Sequence, residues 1–516
     1  MKKSLLILAL LAAMSQQQML FGQNGMDLVQ QAVAAQGGVN ALRALKSLQI
    51  QGTAQFWEPG QSLVAGGDPR FLGDATFTVQ WDLAGDRAST AWDRDHKYPD
   101  PPMRIKYTET VLPTLGYVTD DKGGHAPMSG IRVASHLREL HRSSPFLLVK
   151  ALDSASMVRA VGAQRLGAQS YPSISFSDGG TTFTILFDSS TKLPAVIRTL
   201  DDDNVYGDSN YDLVLGDWKT VGGAKIAHSL SFRIRDIEVA RLNYRSVAAN
   251  PTIAAATFAV PGDVQGKTKP PATSNVPYQW VLRRIFLTRF ADTDNVIFPD
   301  GGGLSLNELA PNIQHVRGGG ANNLIVAMKD HLVIFDAPVS ELQSRRVIDL
   351  AKAKYPGKPV RYLVLTHHHM DHTGGTRTYV AEGAKVVVPA PLKAYFEQHL
   401  RSPRTVAPDE LQRRPRTAEI IEVKDEMTLK DDAGSEIRLY NLPNPHAQGY
   451  ILSHVMPGNV VWVTDVLSPR PGLERTDATV AVGNMLRKHN ITGATFAGGH
   501  GAVAKQADIA AVLAAN

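Results

Sequence analysis

The sequence predicts an α+β protein in two parts, an antiparallel β-rich first half and a second half of strands alternating with helices. Three observations carry this. Apolar and polar residues alternate with period two through much of the stretch before Pro261. Beyond the connector that follows, the pattern changes to short unbroken apolar runs separated by segments with helical spacing. The chain has 516 residues, enough for two large units that each bury their own core.

Taken in order, Lys2 and Lys3 precede an apolar stretch from Leu5 to Met14. This suits the core of a secretion signal and is too short for a permanent membrane span. Residues 1–22 therefore read as a signal peptide, with cleavage after Ser15 or Gly22, and the mature protein is expected in the periplasm or outside the cell. No later stretch has about 18 consecutive apolar residues, so no transmembrane segment is expected.

Residues 26–261 form the first predicted domain. Val29, Ala32 and Val33 share a helical face that stops at Gly37 and Gly38, and Val39, Leu42 and Leu45 open a second short helix. The period then becomes two. Leu48, Ile50, Ala54 and Phe56 alternate with polar residues or glycine, as do Phe77 to Leu83, Phe183 to Phe187 and Leu230 to Ile234. Strands with one dry and one wet face suit an antiparallel sheet. His96, His125, His136, His141 and His228 are read as surface or loop residues. Residues 262–290 form a proline-rich linker followed by a docking helix from Trp280 to Phe290.

The second predicted domain covers residues 291–516. Leu332 to Phe335, Tyr362 to Leu365, Val386 to Val388 and Val460 to Val463 are continuous hydrophobic runs, and Glu341 to Lys354 has helical spacing. Sheets covered by helices follow, with chemistry at the strand ends where loops gather.

One strand runs into Thr366-His367-His368-His369-Met370-Asp371-His372, an HxHxDH motif. In an extended turn His367 and His369 point the same way, while Asp371 and His372 reach a second point; two cations would share these side chains better than one. His368 and Met370 face the supporting structure. Three further residues sit at strand or loop ends in suitable order: His446 in Asn444-Pro445-His446, Asp465 after Val460 to Thr464, and His500 in Gly498-Gly499-His500. His315, His331, His399, His454 and His489 are read as structural or exposed.

The chain contains no cysteine. Disulfides, thiolate nucleophiles and thiolate metal sites are excluded, so any metal must be held by histidine and carboxylate. Lys plus Arg is 54 against 49 for Asp plus Glu, a formal charge of +5. With no dense basic block, nucleic acid is not an expected partner.

On these motifs the second half resembles the metallo-β-lactamase superfamily, from about Asn312 to the end. The resemblance implies a sandwich of αβ/βα layers with a binuclear site. His367, His369 and His446 would hold one metal and Asp371, His372 and His500 the other, with Asp465 bridging. Asp336, closing Val333-Ile334-Phe335, would orient the histidine loop without binding metal. Two zinc ions per chain are expected, and iron or manganese also suits this donor set. A hydroxide between the two ions would be the nucleophile. Asp371 or Asp465 would accept its proton, and Tyr450 would contact substrate. Asp465 is not the usual residue at this position in true β-lactamases, which points away from antibiotic hydrolysis. His369 stands where diiron oxidoreductases of the superfamily often carry glutamate. The expected activity is hydrolysis of a small or amphiphilic ester, lactone, thioester or sulfate ester.

The first half resembles the antiparallel half-barrel of bacterial outer-membrane lipoprotein carriers. This rests on Gly37-Gly38, Ala41-Leu42, Leu45 and Leu48 leading to Gly52, on Asp217 to Gly223 before a long strand, and on Phe258-Ala259-Val260-Pro261. The resemblance implies an apolar ligand on the concave face; a sheet that only scaffolds is the alternative. Two other functions share these features: a mono-iron sulfur-oxidising enzyme of the same fold, and an apolar-ligand carrier with a vestigial metal site.

Overall fold

The period-two stretches of the first half become a single open sheet of 13 strands. The computed structural model describes residues 25–98, 102–268, 270–271 and 303–515. The signal peptide and the docking helix lie outside the described residues. No helix among those described is long and apolar enough to cross a membrane.

Chain neighbours pair throughout this sheet, except that Ser47–Glu58 pairs antiparallel with Ile237–Ala249 and so joins its two halves. The sheet ends at His125–Pro127 on one edge and at Arg159–Leu166 on the other, so no barrel closes among the described strands. Helix Gly130–Ser143, capped by the Ser129 hydroxyl, packs Leu137 and Leu140 against a cluster containing Tyr107, Val111 and Val118. A cavity of about 160 Å³ is lined by Phe77, Trp81, Trp92 and Tyr244, and by the polar Glu109 and His136.

Two sequence expectations are corrected here. The helix was not expected, because its inward face is largely charged: Arg132 pairs with Glu109 at 2.5 Å and Arg138 with Asp201 at 2.5 Å, all four buried. Four of the five histidines singled out in this half are also not surface or loop residues. His96 and His228 are buried in strands, while His136 and His141 belong to the helix.

The second half folds into two sheets. One has seven strands, antiparallel from Ser305–Ala310 through Leu332–Phe335 and parallel from there to Ile420–Val423. The other has six, and its strands Val460–Val463 and Thr495–Gly498 are parallel. Successive residues of a strand point to opposite faces, and here both faces are dry. Val333 and Phe335 join Ile437, Val455 and Trp462 between the sheets. Leu332 and Ile334 pack outward with Val347, Ile348 and Phe396 from helices Glu341–Lys354 and Lys393–Arg401. On the far side, Val461 and Val463 meet Val482 and Leu486 of helix Asp477–Lys488. The order of layers is helix, sheet, sheet, helix, which explains the unbroken apolar runs.

Two compact units emerge, and they are not contiguous in sequence. Glu58–Arg70 and Asp202–Asp208 belong with Asp292–Asn516. The shorter insert is held by charge and backbone contacts: Arg404 binds the Asp202 carboxylate and the Asn204 carbonyl, and His399 Nδ1 donates to the Val205 carbonyl at 2.6 Å.

Burial lowers the imidazoles of His315 and His399 to about 4. A histidine kept neutral by folding contributes stability above the unfolded value of about 6.5, and loses it as pH falls from there toward the folded value. The two histidines are thus expected to contribute about 3 kcal/mol each above neutrality, at about 1.4 kcal/mol per pKa unit. Denaturant unfolding from about pH 7 to about pH 5 should show less loss of stability for His315→Asn/His399→Asn than for the parent chain. Equal losses would contradict the assignment.

Candidate metal centre

Parallel pairing brings the functional strand ends to one edge of each sheet. In the first sheet Phe335 pairs with Val364, so Asp336 and the loop beginning at Thr366 leave side by side. In the second Val463 pairs with Gly498, which does the same for Asp465 and His500. His446 arrives from the loop before strand Ile451–Met456.

The structure assembles two groups of side chains, His367 with His369, His446 and Asp465, and Asp371 with His372 and His500, the donor atoms of each lying within 4.8 Å of one another. Asp465 touches both groups. Its Oδ2 lies 3.1 Å from His367 Nε2, 3.3 Å from His446 Nε2 and 3.0 Å from His372 Nε2, and its Oδ1 lies 3.2 Å from His500 Nε2. His500 Nε2 is also 3.2 Å from Asp371 Oδ2, and His369 Nδ1 is 2.9 Å from His446 Nε2. The side chains of His367 and His372 have no exposed surface, while His500 is 33% exposed and marks the open side.

The orientation of each imidazole has a cause. Asp336 is fully buried and takes the Thr366 amide at 2.8 Å and the Thr366 hydroxyl at 2.9 Å. With its proton given to Asp336, that hydroxyl accepts from His367 Nδ1 at 3.0 Å and leaves Nε2 facing the centre. Asp336 Oδ2 likewise accepts from His372 Nδ1 at 3.2 Å. His369 is turned the other way, donating from Nε2 to the Ser62 carbonyl at 2.9 Å and presenting Nδ1. His368 also donates to the Ser62 carbonyl, and Met370 is buried. Asp336 and Asp465 both adopt left-handed backbone, with φ of 58° and 53°, an uncommon conformation for residues with a side chain. Gly499 is needed for space, since a Cβ there would meet Thr464 Oγ1 at 2.3 Å.

Electrostatics divide the cluster. Burial lowers His367 to about 3 and drives His369 well below its ordinary value. Burial would also lower His500, but Asp465 and Asp371 outweigh it and raise the imidazole to about 9. The carboxylates of Asp371 and Asp465 would be raised by burial; the neighbouring charge of His372 outweighs this in both, and they stay well below the usual range.

Seven nitrogen and carboxylate donors converge in a space mostly closed to water, and His367 Nε2 and Asp465 Oδ2, both buried, make no properly directed hydrogen bond. The donor set fits hard or borderline divalent cations such as zinc.

Tyr450 requires a correction. Its ring is buried and stacks on His367 at 5.4 Å, and its hydroxyl donates to the Thr464 carbonyl and accepts the Thr464 amide, both at 2.8 Å. It anchors the residue before Asp465 and has no hydroxyl to offer substrate. The other histidines of this half make structural contacts: His315 Nε2 donates to the Gly498 carbonyl, His331 pairs with Asp330, His454 bonds Asn459, and His489 lies against Tyr440.

Sequence reasoning missed Gln61, Ser62 and Arg70. Arg70 donates to the Gln61 carbonyl at 2.5 Å and to the His446 carbonyl at 2.9 Å. The available signal was the Pro59-Gly60 break after an alternating strand and the long connection to Arg70, since loops of this length are often functional.

A helix–sheet–sheet–helix domain with a shared histidine and aspartate centre defines the class. Residues 316–503 match the family described as the metallo-beta-lactamase superfamily, and this part of the chain is a domain of that superfamily. Two curated relatives align over 114 residues: a linear primary-alkylsulfatase from Pseudomonas sp. at 35% identity and an (R)-specific secondary-alkylsulfatase from Pseudomonas sp. at 33%. The matched segment is 21% of this chain and 17% of each relative. Among solved structures, a metallo-beta-lactamase from Pontibacter korlensis is 16% identical, with a TM-score of 0.32, 41% of this chain and 97% of that chain covered. A stereoselective inverting sec-alkylsulfatase from Pseudomonas sp. is 20% identical, with a TM-score of 0.32, covering 41% and 40% of the two chains.

Replacing Asp336 with alanine is expected to weaken metal binding by about 10- to 100-fold, because His367 and His372 both lose the group that orients them. Competition with a chromophoric chelator, on variant protein shown to be folded by circular dichroism, measures this. Unchanged affinity would show that Asp336 is only a structural carboxylate.

Proposed function

We propose that the protein is an exported metal-dependent hydrolase of sulfate esters of amphiphilic alcohols, with two zinc ions held by His367, His369 and His446 and by Asp371, His372 and His500. The observation that carries the reading is Asp465, whose carboxylate lies within 3.3 Å of histidines from both groups of ligands. The sulfate ester is preferred among ester-type substrates because the two curated relatives are named as alkylsulfatases.

The bound metal pair would supply an activated water at neutral pH and positive charge beside the reacting group. The chain's own residues do the rest. Asp465 sits between the two ligand groups and lowers their net charge, and Asp465 or Asp371 takes the proton of the attacking water. The exposed edge at His500 admits the polar head of the substrate. A recess of about 410 Å³ beside the His446 loop, lined by Leu63, Pro391, Leu442, Pro443 and Ala447, offers apolar wall for an alkyl chain. In the first unit, the 160 Å³ cavity of aromatic and aliphatic side chains favours an apolar ligand over a purely scaffolding sheet.

Metal analysis and turnover on one sample test this. About two zinc per chain and release of sulfate from a medium-chain alkyl sulfate are expected. A single iron with thiol-dependent oxygen uptake would overturn the reading, as would turnover of lactones, thioesters or carboxylic esters without any of sulfate esters. Export is tested by N-terminal sequencing of protein from the periplasm, where an intact Lys2-Lys3 terminus would refute the signal. Asp465→Ala should lose one metal and lower turnover by at least about 100-fold with the fold intact; normal turnover would sink the shared-site mechanism.

A further inference from the structure

The metal centre has a support that lies outside the matched family region. Ser47–Glu58 ends in a short helical turn, Pro59–Gln61, and the chain returns to its sheet only at Arg70. This loop belongs to the compact unit that carries the centre.

Pro59, Gly60, Gln61 and Ser62 are all buried, which is unusual for a loop built of small and polar residues. The turn is fixed from within, since the Gly60 amide donates to Glu58 Oε1 at 2.8 Å. Gly60 lies against Met370 so closely that a Cβ would stand 3.0 Å from the Met370 Cβ. The Gln61 side chain then reaches Asp371, its Nε2 lying 2.5 Å from Asp371 Oδ1. A carboxylate can only accept, so the amide NH₂ faces it. The consequence is a division of labour within one carboxylate: Oδ1 is occupied by Gln61, while Oδ2 turns to His500 and His372 at 3.2 and 3.7 Å.

We infer that Gln61 is a positioning residue for the Asp371–His372–His500 metal site: its amide holds Asp371 so that Oδ2 is presented to the cation. The inference rests on the metal-centre reading above. Groups that orient a ligand in this way typically contribute about 10- to 100-fold in metal affinity. The Gln61 side chain reaches Asp371, while its backbone carbonyl is linked to the His446 carbonyl through Arg70, so changing the side chain should act mainly on one of the two sites.

The test uses the full-length chain, stripped of metal and titrated with cobalt(II), with binding followed by visible absorption and calorimetry. Gln61→Met keeps the length without a donor, and Gln61→Glu keeps the shape while placing a carboxylate against Asp371. In both variants one cobalt is expected to bind as in the parent and the other about 10- to 100-fold more weakly, with Gln61→Glu the weaker of the two near neutral pH. Wild-type affinity for both ions in both variants would overturn the inference and leave the binuclear reading standing. A parent chain that takes up only one cobalt would overturn both. Equal weakening of both ions would also overturn it, by showing that the loop only supports the fold.

Discussion

The centre depends on one buried carboxylate that stands outside both groups of candidate ligands. Asp336 has no exposed surface, and removing a carboxylate from water is costly unless hydrogen bonds replace the lost hydration. Here they come from the Thr366 amide and hydroxyl and from His372 Nδ1. The partners that satisfy the carboxylate are therefore the groups that need orienting, and the two requirements are met by one set of contacts. His367 is reached indirectly, through the Thr366 hydroxyl. The left-handed backbone at Asp336, with φ of 58°, is a local strain held by the surrounding core, and Asn323 Nδ2 donates to the carbonyl of the same residue at 2.7 Å.

That arrangement presupposes strand ends fixed in register. Parallel pairing of Phe335 with Val364, and of Val463 with Gly498, sets two pairs of functional loops level with one another. The register is held from both faces, because the residues that fix it pack both between the sheets and against the outer helices. Slipping either pair by one residue would exchange the two faces of a strand and move the loop by about 3.3 Å, more than a metal–ligand bond tolerates. Core packing and site geometry are thus the same constraint seen at two distances.

This accounts for what was legible in the sequence. The strands Leu332–Phe335 and Val460–Val463 and the helix Glu341–Lys354 have the bounds that hydrophobic pattern alone assigns them. The HxHxDH run, His446, Asp465 and His500 were readable because strand-end chemistry announces itself next to an apolar run. Helix Gly130–Ser143 was not, since Arg132 and Arg138 face inward and are neutralised by Glu109 and Asp201, partners far away in sequence. Gln61 and Ser62 were hidden for the same reason: a side-chain amide and a carbonyl carry no motif, and their partners lie about three hundred positions downstream. Tyr450 misled because proximity to a ligand in sequence does not tell whether a hydroxyl is already committed; here both of its hydrogen bonds go to Thr464.

The charge balance of the centre explains why so polar a cluster can be buried at all. Asp371 and Asp465 keep their negative charge despite burial because His372 and His500 lie against them and take up protons. His367 and His369, surrounded by other imidazoles, stay neutral. The cluster is therefore divided into compensated ion pairs and neutral donors. A cation needs deprotonated ligands, so it would take the place of the protons on His372 and His500 and keep the same carboxylates compensated. Without some positive charge at that position, two carboxylates sharing one enclosed space would repel each other and one would be forced to protonate. Asp465, in reach of every histidine of the centre except His369 by the distances given above, is where that balance is decided.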